Sequence, residues 1–135
     1  MSRLIHPSPF LRRVLWADAT VSAGVGVLMA VAAPLIGILT RLPTGLLLAA
    51  GLALLPYAAG LAWLATRPAV PAAAIWAPIV LNGVWALACG WIAMAGSVQP
   101  NGLGQAFLAV QVVTVLLFAE LEFSGLRCAA PVVLA

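Results

Sequence analysis

Four long apolar runs separated by short polar breaks make up the hydropathy pattern of this chain. They cover residues 14–39, 45–66, 71–96 and 102–126. As helices rising about 1.5 Å per residue, each is long enough to cross roughly 30 Å of hydrocarbon. The breaks are Arg41-Leu-Pro-Thr, Arg67-Pro-Ala-Val-Pro and Ser97-Val-Gln-Pro-Asn-Gly, and each couples a helix stop to a proline or glycine restart. Connections this short make successive helices antiparallel neighbours. The pattern therefore predicts an all-α integral membrane four-helix up-down bundle, with residues 1–135 forming a single membrane domain. Residues 1–13 read as a polar leader that Pro7 and Pro9 keep from being one continuous helix, and 127–135 as a tail.

Composition restricts the solvent. The chain has 135 residues, 65% of them hydrophobic and 7% charged, far from the roughly 25% charged content of soluble domains. A soluble core of this size cannot hide so much apolar surface, so the solvent is lipid. No room is left for a separate soluble module. The first apolar run, preceded by Arg12 and Arg13, invites a signal-peptide reading. It is longer than a usual signal core and carries Asp18, so a retained, signal-anchor-like first helix is expected.

Charge sets the orientation. The net charge of +3 comes from six arginines, no lysine and three acids. The arginines are single or in one pair, which suits membrane-edge anchors and not a nucleic-acid surface. Arg3, Arg12, Arg13, Arg67 and Arg127 fall on the side of the N-terminus, and only Arg41 on the other. The positive-inside rule then places both termini in the cytoplasm. Trp16, Trp63 and Trp76 lie near the same edge, as interfacial aromatics do, while Trp85 lies deeper and Trp91 nears the outer boundary.

Little in the chain carries reaction chemistry. Cys89 and Cys128 are far apart and form no redox pair, and His6 is the one histidine, so a haem held by two histidines of one chain is excluded. No metal-ligand cluster, nucleotide loop or nucleophile–base pair can be read, and no cofactor and no enzyme activity is expected.

The polar residues inside the runs define a candidate intramembrane network of Arg12, Arg13, Asp18, Asn82, Gln111 and Glu120. Asp18 lies about 7.5 Å beyond Arg13 along a helix, and Glu120 is expected at a similar depth on the fourth span. Charges within spans are costly and mark function by default, although both acids are close enough to the edge to pair with arginine. Glu122 lies about 200° around the helix from Glu120, so one acid faces the bundle and the other the headgroups. Glu122 shares a line with Gln111, Val115 and Phe118; Glu120 shares one with Val113 and Leu116. Asn82 and Gln111, near mid-span, are expected to hydrogen-bond one another or to line a small-substrate path with Tyr57.

Association of helices in lipid depends on small residues. Ala19, Ala23, Gly26, Ala30 and Ala33 align on the first span, Asn82, Ala86, Cys89, Ala93 and Gly96 on the third, and Ala53, Pro56, Gly60 and Trp63 on the second. These are the expected packing faces. Pro34, Pro56 and Pro78 can each kink a span.

Ser8-Pro9-Phe10-Leu11-Arg12-Arg13, Ala17-Asp18-Ala19, Leu55-Pro56-Tyr57, Leu81-Asn82, Phe118-Ala119-Glu120-Leu121 and Gly125-Leu126-Arg127 together resemble an uncharacterised family of small four-span bacterial inner-membrane proteins. The resemblance covers most of the chain and implies a multi-pass protein of the bacterial inner (plasma) membrane. It implies no activity, and it favours Glu120 as the inward acid. In size and span count the chain is also similar to the small multidrug-resistance transporters, dimers built around a glutamate in the first helix. Here the acid of that helix is Asp18, near the cytoplasmic end, and the surrounding residues depart from that pattern.

Two functions follow as expectations. The first is a non-enzymatic association or accessory subunit, packed by its small-residue seams into a homo-oligomer or a larger membrane complex in the lipid bilayer. The alternative is a small oligomeric, proton-coupled transporter of a small molecule that uses Asp18, Asn82 and Glu120.

Overall fold

The computed structural model describes residues 3–132. Ser8 starts the first helix: its hydroxyl accepts the Leu11 amide at 3.1 Å, and Pro9 at the first helical position has no amide to leave unpaired. The helices are α1 (Pro9–Val31), α2 (Ala33–Thr40), α3 (Thr44–Thr66), α4 (Ala72–Met94) and α5 (Gly102–Arg127). Four of them, α1, α3, α4 and α5, are long and apolar enough to cross a membrane. By its helices, this is a multi-pass membrane protein.

The first apolar run is not one helix over 14–39. It begins at Pro9 and breaks at Ala32, whose φ of −99° and ψ of 17° are not helical. Pro34 supplies no amide, and its ring crowds the carbonyl four residues back. Pro56 and Pro78 leave α3 and α4 continuous. Helix α2 stops at Arg41, in the left-handed region with φ 58°. Its last carbonyls are taken up by Asn101, whose side-chain nitrogen donates to Leu39 O at 2.7 Å and whose amide donates to Thr40 O at 3.1 Å. The same asparagine caps α5 by accepting the Gly104 amide at 2.9 Å.

Three short strands, absent from the all-α expectation, close the opposite end. They are β1 (Leu4–His6), β2 (Val70–Pro71) and β3 (Ala130–Pro131), in the order β2-β1-β3 with both pairings antiparallel. Strands of two or three residues leave no readable alternation in a sequence. The sheet ties the leader, the α3–α4 connection and the start of the tail together; residues 1–2 and 133–135 of the expected leader and tail lie outside the described residues. Ile5 and Val70 turn inward and are buried. Arg12 reinforces this end. Its guanidinium donates to Ala65 O and Arg67 O, both at 2.7 Å, satisfying carbonyls at the end of α3. Arg12→Met keeps the stem and removes both bonds, and is expected to cost about 2 kcal/mol. A lowered melting temperature and faster hydrogen exchange in the α3–α4 connection are the readouts.

Helix α1 packs most extensively along α3, and α4 along α5; contact between α1 and α5 is smaller. The α1–α3 crossing is close because Gly26 faces Gly51. A Cβ on Gly26 meets Gly51 O at 2.9 Å, and one on Gly51 meets Ala30 N at 2.7 Å. Ala19 is buried against Leu61, Leu64 and Ala65 of the same pair. Ala23 and Ala30 are half-buried. On α4, Ala86 is buried and Ala93 packs on the core. Gly60 departs from the expected seam: it is exposed, and a Cβ there meets nothing within 4 Å. The crossing lies further toward the start of α3, at Gly51, so the helix turns its Gly60 face outward.

The apolar core has two parts. One, around Ile5, Leu11, Leu15, Leu61, Val70 and Ile75, adjoins the sheet. The other, around Met29, Leu42, Leu47, Leu54, Cys89 and Leu108, lies toward the α2–α3 connection. Between them along every long helix comes a polar residue.

Candidate functional site

Each long helix contributes to that polar layer. Helix α1 brings Asp18 and Ser22, α3 Tyr57, α4 Asn82 and α5 Glu122. On α1 the inward line runs Leu11, Leu15, Asp18, Ser22, Gly26 and Met29, so the two polar residues follow the same stripe as the apolar core. Asp18 is 1% exposed, Asn82 3% and Glu122 0%.

The bonds converge on Asp18. Ser22 Oγ donates to its Oδ1 at 2.9 Å; Tyr57 Oη and Asn82 Nδ2 donate to its Oδ2 at 2.9 and 3.2 Å. The same Asn82 nitrogen donates to Glu122 Oε2 at 3.4 Å. One amide group thus bridges two carboxyls. Glu122 Oε1, fully enclosed, has no hydrogen-bond partner among the described residues. A buried acceptor without a donor loses its hydration and gains nothing in return. Asp18 accepts three side-chain donors, and Glu122 one.

Space adjoins the layer. A cavity of about 280 Å³ is lined by Ser22, Tyr57, Asn82 and Trp85 with apolar Leu54 and Val115. A second, of about 230 Å³, is lined by Asp18, Ser22, Trp85, Gln111 and Thr114 with Phe118. Both lie where the α1–α3 and α4–α5 pairs face each other less closely than the helices within each pair. A third, of about 170 Å³, is almost wholly apolar and holds Cys89 in its wall beside Trp85 and Gln111. Trp85 borders all three.

The structure brings together only part of the sequence-derived network. Asp18 and Asn82 meet directly. Gln111 does not reach Asn82; its Oε1 accepts from Trp85 Nε1 at 2.9 Å, forming a separate polar rung between α4 and α5. Eleven residues separate Gln111 from Glu122, about 16.5 Å of helix, so the two cannot share a layer. Arg12 is engaged with α3 carbonyls, and Arg13 is exposed.

Glu120 is exposed, and Glu122 is the inward acid. The choice suggested by the family resemblance is thereby reversed. The signal for Glu122 was present: Gly104, Leu108, Gln111, Val115, Phe118, Glu122 and Gly125 recur at alternating spacings of four and three, the period of one helix face. Its two ends close tightly. A Cβ on Gly125 meets Leu11 Cδ1 at 3.0 Å, and one on Gly104 runs into Thr40 O. Glu120→Gln is therefore expected to change stability by less than about 0.5 kcal/mol, measured by thermal melting beside the wild type. Tyr57 and Ser22 complete the site; Tyr57 was a minor candidate, and Ser22 could have satisfied itself on its own helix.

Comparison with known protein families, with curated proteins and with solved structures finds no match for this chain.

Proposed function

We propose that this protein is a small non-enzymatic carrier of the bacterial inner membrane, which binds a small solute at the Asp18–Glu122 layer and moves it across the bilayer. The observation that carries the reading is Glu122: fully buried, with one oxygen that has no hydrogen-bond partner among the described residues, in a layer to which all four long helices contribute. A cluster of acids with unmet hydrogen-bonding capacity inside membrane helices is costly to keep and points to function. The five arginines at the sheet end support cytoplasmic termini and alternating span directions. When solute leaves, a proton is the smallest cation that can take its place.

The accessory-subunit reading has less support. Its motive was the small-residue seams, and the main seam of α1 is occupied by α3 of the same chain at Gly26 and Gly51. A homo-oligomeric assembly is compatible with the carrier and adds nothing to its site.

The test is reconstitution into liposomes, with currents recorded on a supported membrane after addition of a panel of small organic amines, alcohols and acids. Wild type is expected to give a saturable current with at least one class. Asp18→Asn is expected to abolish it while remaining folded by circular dichroism. The carrier reading fails if no solute evokes a current, or if the Asp18→Asn current equals that of wild type.

A further inference from the structure

Resting on that reading of the layer as the working site, we infer that Asp18 and Glu122 form a one-proton site. Glu122 holds the proton as a neutral acid, and Asp18 is its ionised partner and the point of entry. The first argument is spacing. Asn82 Nδ2 reaches Asp18 Oδ2 at 3.2 Å and Glu122 Oε2 at 3.4 Å, so a single nitrogen separates the two carboxyls. The two acidic side chains also lie within hydrogen-bonding reach of each other. Two negative charges this close in a buried layer repel, and one proton between them removes the repulsion. The groups facing the pair bring no counter-charge: Ser22 from α1, Tyr57 from α3 and Asn82 from α4 are all neutral. Arg12 is committed to Ala65 O and Arg67 O, and Arg13, Glu120 and Arg127 are exposed.

The second argument places the proton. Ser22, Tyr57 and Asn82 all donate to Asp18, whereas Glu122 accepts only the longer contact from Asn82. Its Oε1 has no hydrogen-bond partner among the described residues. Bonds donated to a carboxylate favour its charged form, so the charge belongs on Asp18 and the proton on Glu122. Protonation turns Glu122 from an acceptor lacking donors into a donor, with Asp18 as its acceptor.

The third argument sets the size of the occupant. Ser22, Tyr57 and Asn82 turn hydrogens toward the carboxyls, whereas a hard metal ion needs several oxygens turned inward. Glu122 is fully buried and borders neither cavity beside the layer, so no solute-sized group reaches its free oxygen. A proton needs no cavity. Asp18 does border the cavity of about 230 Å³, with Ser22, Gln111 and Thr114, which has room and polar surface for water. The proton therefore enters on Asp18 and passes to Glu122. The O–H bond on Asp18 breaks, one on Glu122 forms, and the negative charge returns to Asp18.

Infrared spectroscopy of the full chain in maltoside micelles, which carry no ester carbonyl, reads the proton directly. A protonated carboxyl and a carboxylate absorb apart, and with three acidic side chains in the sequence, single variants assign each band. At neutral pH wild type is expected to show one carboxylic-acid carbonyl per chain. Glu122→Gln should remove it and Glu120→Gln leave it unchanged. Asp18→Asn should keep it at a shifted frequency, with exchange into heavy water slowed about tenfold or more. Tyr57→Phe keeps both acids and takes one donor from Asp18, which guards against acid variants that misfold. On acidification its second carbonyl, from Asp18, should appear at a higher pH than in wild type, because a lost donor favours the protonated form. Glu122 takes up its proton on folding, so wild-type melting temperature should fall relative to Glu122→Gln as pH rises from about 5 to about 8.

The inference is overturned if wild type shows no carboxylic-acid carbonyl at neutral pH, or two. It is overturned equally if the band survives Glu122→Gln and vanishes in Asp18→Asn, or if exchange in Asp18→Asn is as fast as in wild type. Failure of the carrier reading looks different. A Glu122 band without any solute-evoked current removes transport and retains the proton site. Asp18-dependent currents without the band retain transport and remove the proton site.

Discussion

Glu122→Gln is expected to make the protein more stable and inactive at once. The amide keeps the shape of the side chain at a fully buried position and supplies an N–H that can donate to Asp18, while its oxygen keeps the contact from Asn82. Relief of an unpaired buried acceptor is worth about 1–3 kcal/mol. Solute-driven current should fall to background, because the buried acid on which the carrier reading rests is gone. Thermal melting in lipid nanodiscs and current in liposomes check the two halves separately. This opposite movement is the signature of a group kept for function at the expense of stability. If Glu122→Gln melts lower than wild type and carries normal current, Glu122 is a structural residue and the site is wrongly identified.

The second large effect concerns the α1–α3 crossing. Gly51→Val is expected to destabilise the protein by about 3 kcal/mol, the upper part of the range for overpacking. The first added carbon already meets Ala30 N at 2.7 Å, Gly26 O at 2.8 Å and Met29 Cβ at 2.9 Å. Two of these are backbone atoms of a helix and cannot turn aside. The helices must separate, and the hydrogen bond of 2.9 Å from Tyr57 on α3 to Asp18 on α1 is strained with them. Melting temperature and hydrogen exchange along α1 and α3 are the measurements. Gly83→Val serves as the control, since a Cβ there meets nothing within 4 Å. Equal losses at Gly51 and Gly83 would mean that the bulk of the side chain itself, and not the crossing, sets the cost.

Both predictions depend on how the two close helix pairs meet. Within a pair, glycine and alanine let backbones approach; between pairs, side chains bridge the gap, and cavities remain beside the polar layer. The sheet and Arg12 hold the ends of α1, α3, α4 and α5 together on one side. Apolar packing around Leu11, Leu15 and Ile75 separates the acids from that end. The structural tie and the functional layer are thus adjacent but distinct, which is why Arg12 acts on stability alone while Glu122 acts on both.

Four apolar runs, their lengths and the polar breaks between them were readable from residue order, because membrane solvent imposes a simple rule on every stretch that crosses it. Asp18 and Asn82 were equally legible as polar residues within those runs. Break positions were less so: Pro34 interrupts the first run and Pro56 and Pro78 do not interrupt theirs, although all three remove a backbone donor. Local sequence states what a proline removes, and neighbouring helices decide whether the helix continues. The partner of each polar group was likewise a matter of rotation and depth. Glu120 and Glu122 have the same chemistry and are two residues apart, yet the turn of α5 exposes one and buries the other. Gln111 and Asn82 both lie near mid-span, yet one reaches Trp85 and the other the acids. By itself the sequence determined the solvent, the number of long helices and the set of polar candidates, since these depend on hydropathy summed along the chain. Only the tertiary structure decided which acid enters the core, which of its oxygens is left without a donor and where cavities border the polar layer, since these depend on distances between residues far apart in the chain.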